Sequence, residues 1–183
     1  MKKFLGVIFG ISLFATPTLS LANEIDEHKY LIKSLQNVGV QVKFNTSLCN
    51  PEFMGAYYND NKGNSIVLVC QDKSKFKNGL EFDVYNENDL DTLRHEAHHV
   101  VQDCVNGKLG DNKTGRLFTG ELFQQYIIDN ITSKQKDYIY KIYHEGGASD
   151  DEILHEIEAF VVARDVNAIV IADKITELCS FQS

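Results

Sequence analysis

Apolar and polar positions repeat with two different periods along this chain, and the change of period separates a small sheet from a mostly helical half. Residues 24–38 carry apolar side chains at helical spacing and stop before Gly39, which predicts a first helix. Residues 40–44 alternate apolar with polar side chains, as a half-buried strand does, and residues 55–58 and 65–70 predict two further strands. A small mixed sheet is therefore expected before the long helices.

The longest helical pattern runs from about Asp89 to Asn106. Its polar face comprises Thr92, His95, Glu96, His99, Gln102 and Asp103, and its apolar face comprises Leu93, Ala97, Val100, Val101 and Cys104. After a polar loop, further helices are predicted over about 121–130, 133–144, 149–164 and 166–179. The pattern therefore predicts an α+β fold, in which a small mixed sheet packs on this helix and a mostly helical C-terminal half follows.

The chain begins like a secretory signal peptide. Two lysines follow the first methionine, and an apolar run from Phe4 to Ala15 leads to a small-residue end at Ala22. The run has 12 residues, whereas a helix needs about 20 to cross a bilayer. We therefore expect a signal peptide at 1–22 that is cleaved, and a single domain at 23–183. The mature protein would be secreted or periplasmic, without stable membrane insertion.

The charge of the chain argues against nucleic acid as a partner. The formal net charge is −8, and removal of Lys2 and Lys3 with the signal peptide leaves 16 basic against 26 acidic side chains, a net charge near −10. Such a surface repels a phosphate backbone. We expect a monomer that acts on a peptide or protein.

Four cysteines lie in the exported part, and an even number in an oxidising compartment predicts two disulfides. We favour Cys49 with Cys70, closing a hairpin, and Cys104 with Cys179, joining the end of the long helix to the last helix. Metal binding by these cysteines is the weaker alternative because no CxxC pair occurs. A nucleophilic Cys104 is disfavoured because it falls on the apolar face.

The polar face of the long helix carries the sequence His95-Glu96-Ala97-His98-His99. Residues four apart lie on the same side of a helix, so His95 and His99 can both bind one zinc ion. Glu96 then lies beside the metal, where it can accept a proton from a zinc-bound water. His98 lies off this face and is expected to flank the site. The alternative is a solvated helix whose polar face carries histidines by chance.

A catalytic zinc site needs a third protein ligand, which must come from elsewhere in the chain. The position six residues after His99, used by metzincins, is Val105, which cannot bind metal. Glu158 is our first choice, because it shares a helix face with apolar residues and a buried carboxylate needs a cation. Glu156 and His155 on the same helix, and His144 before it, stay open as alternatives, as does a solvated acidic helix.

On these residues the chain resembles the zincin metallopeptidases, in particular a gluzincin-like type found as small secreted bacterial proteins. In gluzincins a glutamate on a later helix completes the HExxH helix, and the resemblance covers residues 95–99 and, more loosely, Glu158-Ala159. It implies a small sheet packed on the motif helix, a cleft beneath an edge strand and a helical C-terminal half. It also implies one catalytic Zn²⁺ ion and hydrolysis of peptide bonds.

Further side chains are candidates for supporting roles. Those expected to orient a histidine ligand through a hydrogen bond are Gln102, Asp103 and Asp165. Those that could donate a hydrogen bond to the oxyanion of the transition state are Tyr143, His144 and His155, and the sequence does not rank them.

The sequence therefore predicts a secreted zinc metallopeptidase in which Glu96 is the general base for a metal-activated water. A substrate peptide would pair with an edge strand, for which residues 65–70 are the first choice. Two other functions stay open: an exported, non-catalytic binding protein or inhibitor on a zincin scaffold, and a zinc amidase that acts on cell-wall peptide.

Overall fold

A computed structural model of the chain describes residues 21–49, 54–59, 64–71, 85–111 and 113–179. The predicted signal peptide lies almost entirely outside these ranges. Within them, no helix is long and apolar enough to span a bilayer.

The described residues form six helices and three strands, which confirms the α+β class. The N-terminal elements are α1 (Leu21–Asn37), β1 (Gln41–Phe44), β2 (Gly55–Asn59) and β3 (Ser65–Val69). The helical half contains α2 (Glu87–Val105), α3 (Gly120–Asn130), α4 (Ser133–Glu145), α5 (Asp150–Asp165) and α6 (Ala168–Cys179).

The three strands form one mixed sheet in the order β1-β3-β2. β1 runs parallel to β3, and β2 runs antiparallel to it. The prediction that residues 65–70 form an edge strand is therefore wrong, because β3 is paired on both sides. All five residues of β3 are buried, as expected for a central strand with a continuous apolar run. Among the described strands, the edges are β1 and β2.

Helix α2 packs against the sheet and against α1, α5 and α6. It begins after Asn86, whose side chain accepts a hydrogen bond from the Asp89 backbone while the Asp89 side chain accepts one from Asn86. This reciprocal capping box satisfies backbone donors that the first turn would otherwise leave unpaired. Every residue of the polar face of α2 is buried except His99, which is partly buried. This contradicts a solvated helix that carries histidines by chance.

Arg94 fixes the rotation of α2 relative to two neighbouring helices. Its Nε donates to the carbonyl of Ala163 on α5 at 2.6 Å, and one terminal nitrogen lies 3.0 Å from the Glu24 carboxylate on α1. The same nitrogen donates to Nε2 of His28 at 3.2 Å. Since Arg94 directly precedes His95, these contacts hold the start of the HExxH motif in place.

Both predicted disulfides are confirmed. Cys49 is bonded to Cys70, which links the segment after β1 to the end of β3. Cys104 is bonded to Cys179, which links the last turn of α2 to the end of α6. All four cysteines are thus paired, so neither metal binding nor nucleophilic chemistry by a free thiol applies. Two disulfides are typical of a protein that matures in an oxidising compartment.

Candidate metal centre

Three side chains from α2 and α5, two of them buried and one partly buried, bring their ligand atoms close together. Nε2 of His95 lies 3.1 Å from Nε2 of His99. The Glu156 carboxylate completes the triangle, with Oε2 3.2 Å from His95 Nε2 and Oε1 3.5 Å from His99 Nε2. Among the residues that the structure describes, this is the group of histidine, cysteine and acidic side chains that can hold a metal ion.

The spacing and chemistry of the triangle fit a zinc ion. Ligand atoms around a tetrahedral zinc ion, at about 2.0–2.1 Å from the metal, lie about 3.3–3.4 Å from one another. The two Nε2 atoms lie 3.1 Å apart, and they lie 3.2 and 3.5 Å from the two different oxygens of Glu156, so the separations fall on either side of that value. Two imidazoles and one carboxylate are also a ligand set that catalytic zinc sites use, with a fourth position left for water.

Without a metal ion, the electrostatics of the site place one positive charge on His99. Burial lowers the pKa of His95 to about 4. Burial also opposes protonation of His99, but the charge of Glu156 and their hydrogen bond outweigh it and raise the pKa of His99 to about 9. Burial raises the pKa of Glu156, but the two imidazoles more than reverse this and hold it well below its usual range. A proton on His99 thus supplies the charge that a metal ion would bring.

Glu158, the predicted third ligand, faces a different set of partners. Its Oε1 accepts hydrogen bonds from His98 Nε2 at 2.8 Å, Gln102 Nε2 at 3.1 Å and the Leu117 backbone at 3.0 Å. Its Oε2 accepts from the Phe118 backbone at 3.1 Å. Both oxygens of the carboxylate thus have hydrogen-bond donors, three at Oε1 and one at Oε2. The structure therefore does not bring Glu158 to the histidine pair.

Glu156 and not Glu158 faces the histidine pair, and the burial of α5 explains why the sequence pattern did not show this. Helix α5 is buried on nearly all sides, with both glutamates at 1% exposure or less, so the apolar pattern could not show which one faces α2. Phe160, one turn after Glu156, packs edge-on against the His95 ring with centroids 4.5 Å apart. This contact sets the rotation of α5 that directs Glu156 at the triangle.

Burial and hydrogen bonding keep Glu158 and His98 in complementary states. Burial raises the pKa of Glu158, but the hydrogen bonds from His98, Phe118 and Leu117 outweigh it and lower the pKa, so the carboxylate is ionised. Burial lowers the pKa of His98, so its ring is neutral and donates through Nε2. His98 therefore flanks the site, as expected, and binds Glu158 instead of the metal.

Glu96 is positioned by strand β2. The backbone N–H of Tyr57 hydrogen-bonds to its carboxyl group, while Oε1 is buried and has no hydrogen-bond partner in the described part of the chain. Burial, reinforced by the charge of Glu156, raises the pKa of Glu96 to about 8 despite the opposing effects of His99 and Tyr57. In the metal-free site the carboxyl group of Glu96 is thus mostly protonated at neutral pH. A cation bound at the triangle would lower this pKa and leave the carboxylate able to accept a proton.

Sequence reasoning missed the contribution of β2 to this arrangement. Gly55 lies so close to α2 that a Cβ atom there would be 2.9 Å from Glu96 Oε1 and 2.6 Å from Thr92 Cγ2. A glycine at the start of a strand signals close approach of another group, and this signal was available in the sequence. The Tyr57 contact uses the backbone, which carries no residue-specific signal.

Of the three side chains expected to orient a histidine, one is in contact with the triangle. Gln102 Oε1 lies 2.7 Å from His99 Nδ1. Asp103 instead accepts hydrogen bonds from the Tyr57 hydroxyl at 2.5 Å and the Gly110 backbone at 2.7 Å. Asp165 pairs with its neighbour Arg164. The predicted orienting roles of Asp103 and Asp165 are therefore not supported by their contacts.

Tyr143 is the oxyanion candidate that the structure brings to the site. Burial and the charges of Glu156 and Glu96 raise its pKa well above the ordinary value. Its hydroxyl is close enough to be affected by Glu156, but it forms no hydrogen bond of good geometry within the described residues. The Tyr143 hydroxyl thus lies beside the carboxylate of Glu156.

The other two oxyanion candidates have different surroundings. His144 is exposed and stacks on Tyr140, with ring centroids 5.5 Å apart. The Nδ1 atom of His155 lies 2.7 Å from the Asp151 carbonyl oxygen, and His155 is not part of the metal-binding group. Neither histidine is the third ligand of the triangle.

Residues 19–179 match the model of a protein family described as a domain of unknown function, DUF8637. No significant match was found among curated proteins or among solved structures.

Proposed function

We propose that this protein is a zinc-dependent metallopeptidase that hydrolyses peptide bonds. The chain belongs to the family described as a domain of unknown function, DUF8637. The observation that supports the proposal is the convergence of His95, His99 and Glu156 beside Glu96. The Oε1 atom of Glu96 has no hydrogen-bond partner within the described residues. The signal-like N-terminus and the two disulfides support a secreted or periplasmic location.

Each residue has a defined part in this proposal. His95, His99 and Glu156 hold the ion, which when bound supplies Lewis acidity that polarises a carbonyl group and acidifies water. Glu96 accepts a proton from the attacking water at Oε1 and passes it to the leaving amine as the carbon–nitrogen bond breaks. Tyr143 donates its hydroxyl proton in a hydrogen bond to the oxyanion. The Tyr57 backbone N–H holds Glu96 in place throughout.

One further function is favoured by a separate observation. His95, Glu96 and Glu156 are each 2% exposed or less, and the His99 side chain is 13% exposed. A closed site is what a non-catalytic binding protein or inhibitor with a structural ion would have. We keep this as the second candidate. A cell-wall amidase shares the zinc chemistry of the first proposal and differs only in its substrate.

The deciding experiment measures zinc content and hydrolysis on the same preparation of the processed chain. We expect one zinc ion per chain by elemental analysis, and chelator-sensitive hydrolysis in a panel of casein, a peptide library and peptidoglycan. Cleavage of casein or peptides supports the peptidase, and cleavage of peptidoglycan alone supports the amidase. One tightly bound zinc without hydrolysis of any substrate supports the binding protein. Absence of zinc after reconstitution refutes both zinc hydrolases and leaves only a binding protein without an ion.

The role of Glu96 is tested by the variant Glu96→Gln. It keeps the size of the side chain and removes the proton acceptor, so we expect unchanged zinc content and a loss of turnover of about 10²–10⁴-fold. Glu121→Gln is the matched control, since Glu121 is exposed in the first turn of α3. Turnover by Glu96→Gln equal to that of the control would remove Glu96 from the mechanism.

A further inference from the structure

Glu158 is a buried carboxylate to which the proposed hydrolysis gives no role. Glu158 is fully buried and lies on α5, two residues after the ligand Glu156. Its hydrogen bonds from His98, Leu117 and Phe118 connect three parts of the chain, namely α2, α5 and the segment before α3. These hydrogen bonds fix the position of the carboxylate, which in turn accepts a hydrogen bond from Gln102.

The contacts of Gln102 determine which way its amide group points. Its Nε2 lies 3.0 Å from the carbonyl oxygen of His155 and 3.1 Å from Oε1 of Glu158. Both of those atoms can only accept hydrogen bonds, so the amide nitrogen must face them. A reversed amide would place its oxygen against two other oxygens. The amide oxygen therefore faces Nδ1 of His99, at 2.7 Å.

The orientation of Gln102 fixes the tautomer of His99. An amide oxygen only accepts, so Nδ1 of His99 must carry a proton and donate it. In the neutral ring the lone pair then lies on Nε2, the atom that faces His95 and Glu156. The second ring nitrogen of a metal-binding histidine commonly makes such a hydrogen bond, which sets ring orientation and basicity.

From these contacts we propose that Glu158 is a positioning residue, which acts through Gln102 to hold His99 in the tautomer and orientation that bind the metal. This inference rests on the proposed zinc site and deepens it. Glu158 touches neither the ion nor a substrate. Its negative charge attracts the amide nitrogen of Gln102, so the amide oxygen of Gln102 faces His99 and accepts a hydrogen bond from it.

The test is a double-mutant cycle on zinc affinity, with Glu158→Gln, Gln102→Met and the double variant of the full processed chain. Loss of the hydrogen bond to His99 in Gln102→Met should weaken zinc binding about 10–100-fold. Glu158→Gln should weaken it less, because a neutral amide only partly selects the orientation of Gln102. Because Glu158 acts through Gln102, the double variant should bind zinc no more weakly than Gln102→Met alone.

A spectroscopic readout separates positioning from general destabilisation. Cobalt substituted for zinc should show a changed visible spectrum in Gln102→Met, because the His99 ring is free to tilt. Asp103→Asn is the matched control. Asp103 is a fully buried carboxylate on α2, and it accepts hydrogen bonds from Tyr57, Asn59 and Gly110 rather than from the imidazoles. It should lose stability while keeping the zinc affinity and the cobalt spectrum.

The possible outcomes distinguish this inference from the function on which it rests. A wild-type chain that binds no zinc refutes the proposed function. A wild-type chain that binds zinc, with Gln102→Met binding it equally well and giving the same cobalt spectrum, overturns the positioning role and leaves the zinc site intact. Additive losses in the double variant also overturn it. If Glu158→Gln does not fold, zinc affinity and a cobalt spectrum of Gln102→Met that both match the wild type still overturn the inference.

Discussion

Substitution of Gly55 by alanine tests whether β2 sets the position of the general base. A Cβ atom at this position would lie 2.6 Å from Thr92 Cγ2 and 2.9 Å from Glu96 Oε1, whereas ordinary contacts begin at 3.4 Å. The shortfalls are therefore 0.8 Å and 0.5 Å. Thr92 and Glu96 are 1% exposed or less, so neither can move out into solvent. The strand, the helix or the Glu96 carboxyl group must shift by several tenths of an ångström.

Two quantities follow from that shift. Overpacking of a close-packed interior lowers the free energy of unfolding by about 1–3 kcal/mol. A displacement of a catalytic group approaching 1 Å costs about 10²-fold in rate, so a shift of about half that distance should reduce turnover about tenfold or more. Zinc content should not change, because Gly55 contacts none of the three ligands among its nearest neighbours.

The assay compares denaturant unfolding, zinc content and turnover for wild type, Gly55→Ala and Gly146→Ala. Gly146 is the control because it has right-handed helical backbone angles and a Cβ there would come no closer than 3.3 Å to another atom. The reasoning is refuted if Gly55→Ala unfolds at the wild-type denaturant concentration and also keeps full turnover. Loss of zinc in this variant would show that β2 supports the ligands as well as Glu96.

Three further predictions concern other parts of the molecule. Replacing Cys104 and Cys179 by alanine should lower the free energy of unfolding by about 4 kcal/mol, since that disulfide closes a loop of 75 residues. A decrease smaller than about 1 kcal/mol, measured by urea unfolding, would contradict this. Burial lowers the pKa of His28 from 6.5 to about 4, so the unfolded chain binds a proton at this residue more readily than the folded chain. His28 therefore contributes about 3 kcal/mol to the free energy of unfolding above pH 6.5, and this contribution is lost as the pH falls from 6.5 to 4. In urea unfolding at pH 7.5 and 4.5, His28→Gln should show less loss on acidification than wild type, and an equal loss would exclude His28 as a cause. Glu156→Gln should weaken zinc binding by more than about 100-fold and by more than Glu158→Gln does, because a lost ligand costs more than a lost orienting contact; titration with a zinc indicator decides, and the reverse order would restore Glu158 as the ligand.

The local part of the site could be predicted from sequence because helix geometry alone determines it. His95 and His99 are four residues apart, so any helix through them puts both rings on one side. The capping signals and the apolar face of α2 were sufficient to predict that helix. The even number of cysteines predicted two disulfides, but the pairing of Cys104 with Cys179 was only the favoured one of three possible arrangements.

The non-local part could not be predicted, because it depends on how separate elements pack. Whether Glu156 or Glu158 meets the histidines depends on the rotation of α5, which is buried on both relevant sides and so has no polar face to mark its outside. The central place of β3 depends on strand order, which the period-two pattern does not contain. The identity of the edge strands was missed for the same reason.

The burial of the triangle has a kinetic consequence. Solvent reaches these atoms mainly beside His99, the only one of the three ligands with more than 2% of its side chain exposed. Capture or release of an ion would then wait for a local opening of the surrounding helices, whose frequency is a property of the protein. The rate at which a strong chelator removes the metal should therefore reach a limit that no longer rises with chelator concentration. That limiting rate would report how often the helices around the triangle open.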